Sequence, residues 1–169
     1  MKIKNVLFIS LIFTALCFNS CSKKQDSVVL SRVFQGENWG RFDYLEADYH
    51  VVNAPMTADL VMNIEVSDIY PNTYQNYDDN DRFFIIVLSI NAPDGGKRTR
   101  EYKFRLKDSE GNFKSEKIDG YYHFELPLIN EMSFTENGDY HFKVENKYTK
   151  EPLCGIKSLN INCLQIKRF

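Results

Sequence analysis

Beyond the first two dozen residues, apolar positions recur at every second residue and not at helical spacing. Asp59–Ile69 sets Leu60, Met62, Ile64 and Val66 on one side and Asp59, Val61, Asn63, Glu65 and Ser67 on the other, which predicts a half-buried strand. The same alternation places Tyr102, Phe104 and Leu106 inward within Thr99–Leu106, Tyr122, Phe124 and Leu126 inward within Tyr121–Ile129, and Tyr140, Phe142 and Val144 inward within Tyr140–Tyr148. Val28–Phe34 is rich in β-branched residues and predicts a first strand. Trp39–Val52 holds an irregular connection and a second strand ending near His50–Val52. Phe83–Ile90 is apolar on both parities, which predicts a central strand covered on both faces. Gly155–Ile166 closes the chain, and its parity shifts near Ser158, as a turn or bulge would make it do.

Between these runs stand breakers: Asn53-Ala54-Pro55, the polar loop Tyr70–Asp81, Pro93-Asp94-Gly95-Gly96, Asp108–Gly111 and Asn137-Gly138. Pro127 withholds a ladder donor and so predicts an edge or a strand end. About eight strands with turn residues between them predict an all-β fold, an antiparallel β-sandwich of immunoglobulin-like or jelly-roll type. Uneven strand lengths disfavour a closed barrel, and polar outward faces disfavour a barrel set in lipid.

The start of the chain follows a different rule. Lys2 and Lys4 precede an apolar run, Val6–Phe18, interrupted only by Ser10 and Thr14, and then come Asn19, Ser20 and Cys21. Thirteen helical residues reach about 20 Å, short of the roughly 30 Å hydrocarbon core, so cleavage is expected rather than a membrane span. Cys21 after the small Ser20 resembles the lipobox of bacterial lipoproteins, although Phe18 stands where such signals usually have Leu. That resemblance implies a signal peptide over residues 1–20, acylation of Cys21, a lipidated tether over 21–27 and a sandwich domain over 28–169. Acyl chains at roughly 0.8 kcal/mol per buried methylene would then supply the membrane attachment.

Charge narrows the partners. Lys plus Arg number 21 and Asp plus Glu 23; losing Lys2 and Lys4 with the leader takes the formal charge from −2 to −4. No basic stripe is left to neutralise phosphates, which argues against nucleic acid, and an anionic leaflet would not attract the body. Lysines rather than acids follow Cys21, which points to a periplasm-facing protein on the outer membrane.

Few residues carry candidate chemistry. His123 and His141 recur in Tyr-His-Phe contexts; on neighbouring strands they would share an outward face beside Glu125 or Glu145, but two histidines fall short of a zinc site. Asp78-Asp79-Asn80-Asp81 lacks the spacing of a calcium loop. Cys154 and Cys163 lie about 30 Å apart along an extended strand, against the roughly 6 Å a disulfide needs. A bridge would need a tight turn near Ser158–Asn160, and two independent buried thiols fit better. Tyr70, Tyr74 and Tyr77 could present a surface for a glycan or a protein partner, or cap the end of the sandwich. No hydrolase, zinc-protease or P-loop motif occurs, so the expectation is no catalytic residue, no metal, no cofactor and no enzymatic activity.

Several pieces together resemble the GldH gliding-motility lipoprotein family: Trp39 with Phe42, Tyr70-Pro71-Asn72, the turn Lys107–Phe113, Phe134-x-x-x-Gly138-x-Tyr140-x-Phe142 and Leu153-x-Gly155-Ile156. Phe113 stands where a tryptophan would be familiar, and Glu145–Tyr148 lacks the basic, methionine-containing stretch of the family pattern. The resemblance implies a non-enzymatic envelope lipoprotein that supports gliding motility and the type IX secretion linked to it, with other envelope lipoproteins or motility proteins as partners. The alternative is a surface glycan-binding lipoprotein.

Overall fold

The computed structural model describes residues 26–71 and 83–166. Eleven strands run through them: β1 (Asp26–Val33), β2 (Asn38–Trp39), β3 (Leu45–Val51), β4 (Met56–Val66), β5 (Phe84–Asn91), β6 (Lys97–Phe104), β7 (Lys117–Ile118), β8 (Tyr121–Phe134), β9 (Gly138–Asn146), β10 (Leu153–Cys154) and β11 (Ile156–Gln165). Three of these are two-residue pieces; the other eight are the strands expected from the sequence. Among the described residues no helix is long and apolar enough to cross a membrane.

The strands form two main antiparallel sheets, ordered β1-β11-β4-β8-β7 and β3-β9-β5-β6, with β2 and β10 paired separately. Numbered by rank, the eight long strands pair first with eighth, third with sixth, second with seventh and fourth with fifth. Successive pairs alternate between the sheets, as when one long antiparallel ribbon is rolled over a core. This is the jelly-roll arrangement, and it decides the choice the sequence left open. Only the β5–β6 link among the long strands is a hairpin within one sheet; it turns through Pro93, Asp94 and Gly95, whose φ of 86° suits a glycine.

Alternation explains the core. β4 turns Ala58, Leu60, Met62, Ile64 and Val66 inward, β11 adds Ile156, Leu159 and Ile161, and β5 and β9 answer with Phe84, Ile86, Leu88, Phe142 and Val144. Trp39 is fully buried between Phe34 and Phe84, and its indole N–H donates to the Asp43 carbonyl at 2.7 Å.

Two local expectations change, at β5 and at the tether, and Pro127 and Asn137-Gly138 take a definite place. β5 has neighbours on both sides, and its outer face is covered only in part: Ile85 is buried there, whereas Val87 and Ser89 are half-buried. Pro127 lies inside β8, at a register shift opposite Val61. It is tolerated because β7 pairs only with Tyr121 and Tyr122, leaving the rest of that strand side without a partner. Asn137-Gly138 makes its turn at a corner between the two sheets. Asp26 and Ser27, assigned above to the tether, already belong to β1, where Ser27 pairs with Cys163 and its hydroxyl lies 2.8 Å from that of Tyr49.

Candidate functional site

Three of the pieces that carry the family resemblance, Tyr70, the Lys107–Phe113 turn and Gly155, meet at the end of the sandwich where β4 finishes, whereas Phe134 pairs with Met56 at the start of β4. Gly155, at φ 78°, lies so close beneath Tyr70 that a Cβ there would sit 2.3 Å from the Tyr70 nitrogen. Tyr70 is 6% exposed, so its ring caps the sandwich and does not offer a free face; the surface role expected of it is corrected to the capping one. Above it, Lys107 is 8% exposed. Its ammonium donates to the Tyr70 carbonyl at 3.1 Å and stands 4.3 Å from the centre of the Phe113 ring. Burial pushes the Lys107 pKa down, against the pull of the Asp68 carboxylate. Phe113 in turn stacks on Tyr122 at 3.9 Å, and Lys117 pairs with Asp68. These contacts tie the β4 end to the 106–114 loop.

Beside it, Glu37 accepts hydrogen bonds from Ser67 at 2.6 Å and Tyr121 at 2.9 Å. The Ser67 bond chiefly holds its carboxyl below the usual range; burial opposes this, and Tyr121 and Lys157 add to it.

The open feature lies elsewhere. Between β6, the edge of one sheet, and the side of β8 that β7 leaves bare runs a groove of about 870 Å³. Ile90, Ile129, Met132 and Tyr140 are among its apolar lining, and Arg98, Arg100 and Tyr102 come from β6. Arg98 lies in register with Ile90 and Arg100 with Leu88, so both arginines stand on the strand face that points to the core. Both are exposed, and neither makes an ion pair among the described residues. Tyr102 is 7% exposed and its hydroxyl has no hydrogen-bond partner among the described residues. The Arg100 guanidinium stands 5.2 Å from the Tyr102 ring centre. Burial pushes that phenol up, while the charges of Arg100 and Arg98 and the approach of the Arg100 side chain to its hydroxyl pull it down. On the β8 side a bulge puts Glu131 at φ 53°, its N–H donating to the Asp59 carboxylate at 2.8 Å. Glu131, the acid of the lining, is itself partnered.

The other expected residues fall apart. His123 is on β8 and His141 on β9, strands of opposite sheets, so they share no face; His123 approaches Glu65 at 3.5 Å and His141 approaches Asp48 at 2.8 Å, not Glu125 or Glu145. No group of metal-holding side chains occurs among the described residues. Ser158 donates to Glu65 at 2.9 Å, which leaves the carboxylate, rather than the His123 imidazole, facing the hydroxyl. Cys154 and Cys163 are both free, Cys163 buried and Cys154 only half-buried. Cys21, Tyr74, Tyr77 and Asp78–Asp81 lie outside the described residues.

Arg98, Arg100 and Lys107 were not singled out from sequence. The one available signal was parity, because Arg98 and Arg100 continue the inward series of Tyr102, Phe104 and Leu106.

No curated protein matches the chain. Among solved structures, an uncharacterised protein, lmo2446 from Listeria monocytogenes, aligns with 83% of this chain and 11% of its own at 9% identity and a TM-score of 0.30, too low to carry an argument. The chain thus spans a small part of the length of that protein. The model of the GldH lipoprotein family matches residues 31–162, a span that takes in Trp39, Tyr70, the Lys107–Phe113 turn and Gly155. That family is one of gliding-motility-associated lipoproteins, which implies membrane anchoring and association with the cell envelope. Since the match covers well over half of the sequence, the chain belongs to the GldH lipoprotein family.

Proposed function

We propose that the protein is a non-enzymatic docking module, held to the outer membrane by acyl chains on Cys21 and facing the periplasm. It supports gliding motility and the associated type IX secretion by binding other envelope lipoproteins or motility proteins. The family match over residues 31–162 is the observation that carries this reading. The fold supports it further: a rigid jelly roll with a closed core presents its open polar groups on a groove between two strand edges. The surface glycan-binding alternative loses one of its three tyrosines, because Tyr70 is buried.

Deleting the gene in its own host tests the proposal. Cells should fail to spread on agar and should secrete less type IX cargo, and both should return with the wild-type gene. Normal spreading and secretion in the deletion strain would overturn it.

A further inference from the structure

We infer that the groove between β6 and β8 is a docking site for an extended acidic segment of a partner protein, which adds as a strand to the free edge of β6. This rests on the docking-module reading and names the chemistry of its partner.

Backbone geometry supplies the first argument. Ala92 donates to the Gly96 carbonyl at 2.7 Å, which fixes that pair as a hydrogen-bonded one. Antiparallel ladders alternate such pairs, so Arg98, Arg100, Tyr102 and Phe104 spend their backbone groups on β5. Lys97, Thr99, Glu101 and Lys103 therefore turn N–H and C=O toward the outer edge, where β6 has no neighbouring strand among the described residues. An eight-residue edge of that kind is a template for strand addition.

Charge selects the occupant. A strand laid against β6 would send alternate side chains inward, beside Arg98 and Arg100. Carboxylates at those positions would meet two guanidiniums above an apolar floor. A second copy of β6 is disfavoured, because Lys97, Arg98, Arg100 and Lys103 against the lone Glu101 would set cation against cation. The same arginines could instead only guard the edge against aggregation, since inward charge is one way to blunt a sheet edge; partner binding separates the two roles.

The probe is a fluorescein-labelled octapeptide of alternating glutamate and valine, titrated by anisotropy with the full lipoprotein in nonionic detergent. Saturable binding is expected, with none to the alternating lysine and valine peptide. Affinity should fall about tenfold or more for R98E/R100E. It should fall as far when alternate peptide nitrogens are methylated, which blocks strand pairing without touching the protein. Thr99→Pro should also lose binding, since its N–H faces the free edge, whereas Thr99→Val, which keeps that N–H, should not. No saturable binding of the acidic peptide would overturn the inference and leave the arginines as edge guards. Equal binding of the methylated peptide would overturn it too, as would a polyuronate oligosaccharide that binds wild type and Thr99→Pro alike, since charge alone would then suffice. Complementation keeps this failure apart from that of the proposed function. If the deletion abolishes spreading and R98E/R100E restores it in full, the groove is refuted and the motility role stands.

Discussion

Gly155 and Tyr70 meet backbone to backbone, and that contact sets the tightest constraint on any single residue. A methyl at position 155 would enter the Tyr70 backbone and would also sit at φ 78°. Gly155→Ala should therefore cost about 3 kcal/mol or more in urea denaturation. Gly95→Ala, at φ 86° with open space around it, should cost only about 1 kcal/mol. Glu37 gives a pH-dependent counterpart. Its folded pKa lies below the ordinary 4.5, so its stabilising contribution is present above that value and is lost as pH falls through the lower folded one. Glu37→Gln should flatten the acid limb of a stability-against-pH curve and leave the neutral region nearly parallel to wild type. Neither contact was legible beforehand. The pattern puts Gly155 at the start of the last strand and Lys107 in a turn, but only the fold shows that one supports Tyr70 and the other is closed in by Phe113.

At the scale of elements, period-two patterning located β4, β6, β8 and β9, because each buries one face and exposes the other, while β-branched content marked β1 and a continuous apolar run marked β5. Period cannot say which strands pair: alternation leaves open whether His123 and His141 share a face, and the placing of β8 and β9 in opposite sheets separates them. The double apolar parity of β5 reads as two covered faces, yet Val87 lies between Glu101 and Glu145 in register, in a polar outer neighbourhood. Bulges escape for a similar reason. Two breaks, between Ala58 and Leu60 and between Leu60 and Val61, let β8 carry Glu131 at positive φ, its N–H donated to Asp59, and Pro127 beside the second. Asp59→Ala should cost about 1 kcal/mol by thermal unfolding, and amide exchange should quicken around Glu131 rather than along β9. Trp39→Ala, which empties a fully buried site beside Phe34 and Phe84, should cost about 3–5 kcal/mol.

For the whole molecule, a sandwich followed from strand count, but the jelly roll followed only from which strands pair, a non-local fact set by how the chain rolls over its core. The groove belongs to the same scale: it exists because β6 ends one sheet and β7 covers only the first residues of β8 in the other. The sandwich leaves Asp26 at the start of β1, five residues after Cys21, so an acylated cysteine would hold this end of the body close to the bilayer. Anchoring at that one sulfur is the claim on which the envelope role depends, and labelled palmitate tests it directly. In the native host the wild-type protein should incorporate label and sediment with membranes, whereas Cys21→Ser should remain unlabelled and leave the membrane fraction. Unlabelled wild-type protein, or equal labelling of Cys21→Ser, would contradict it.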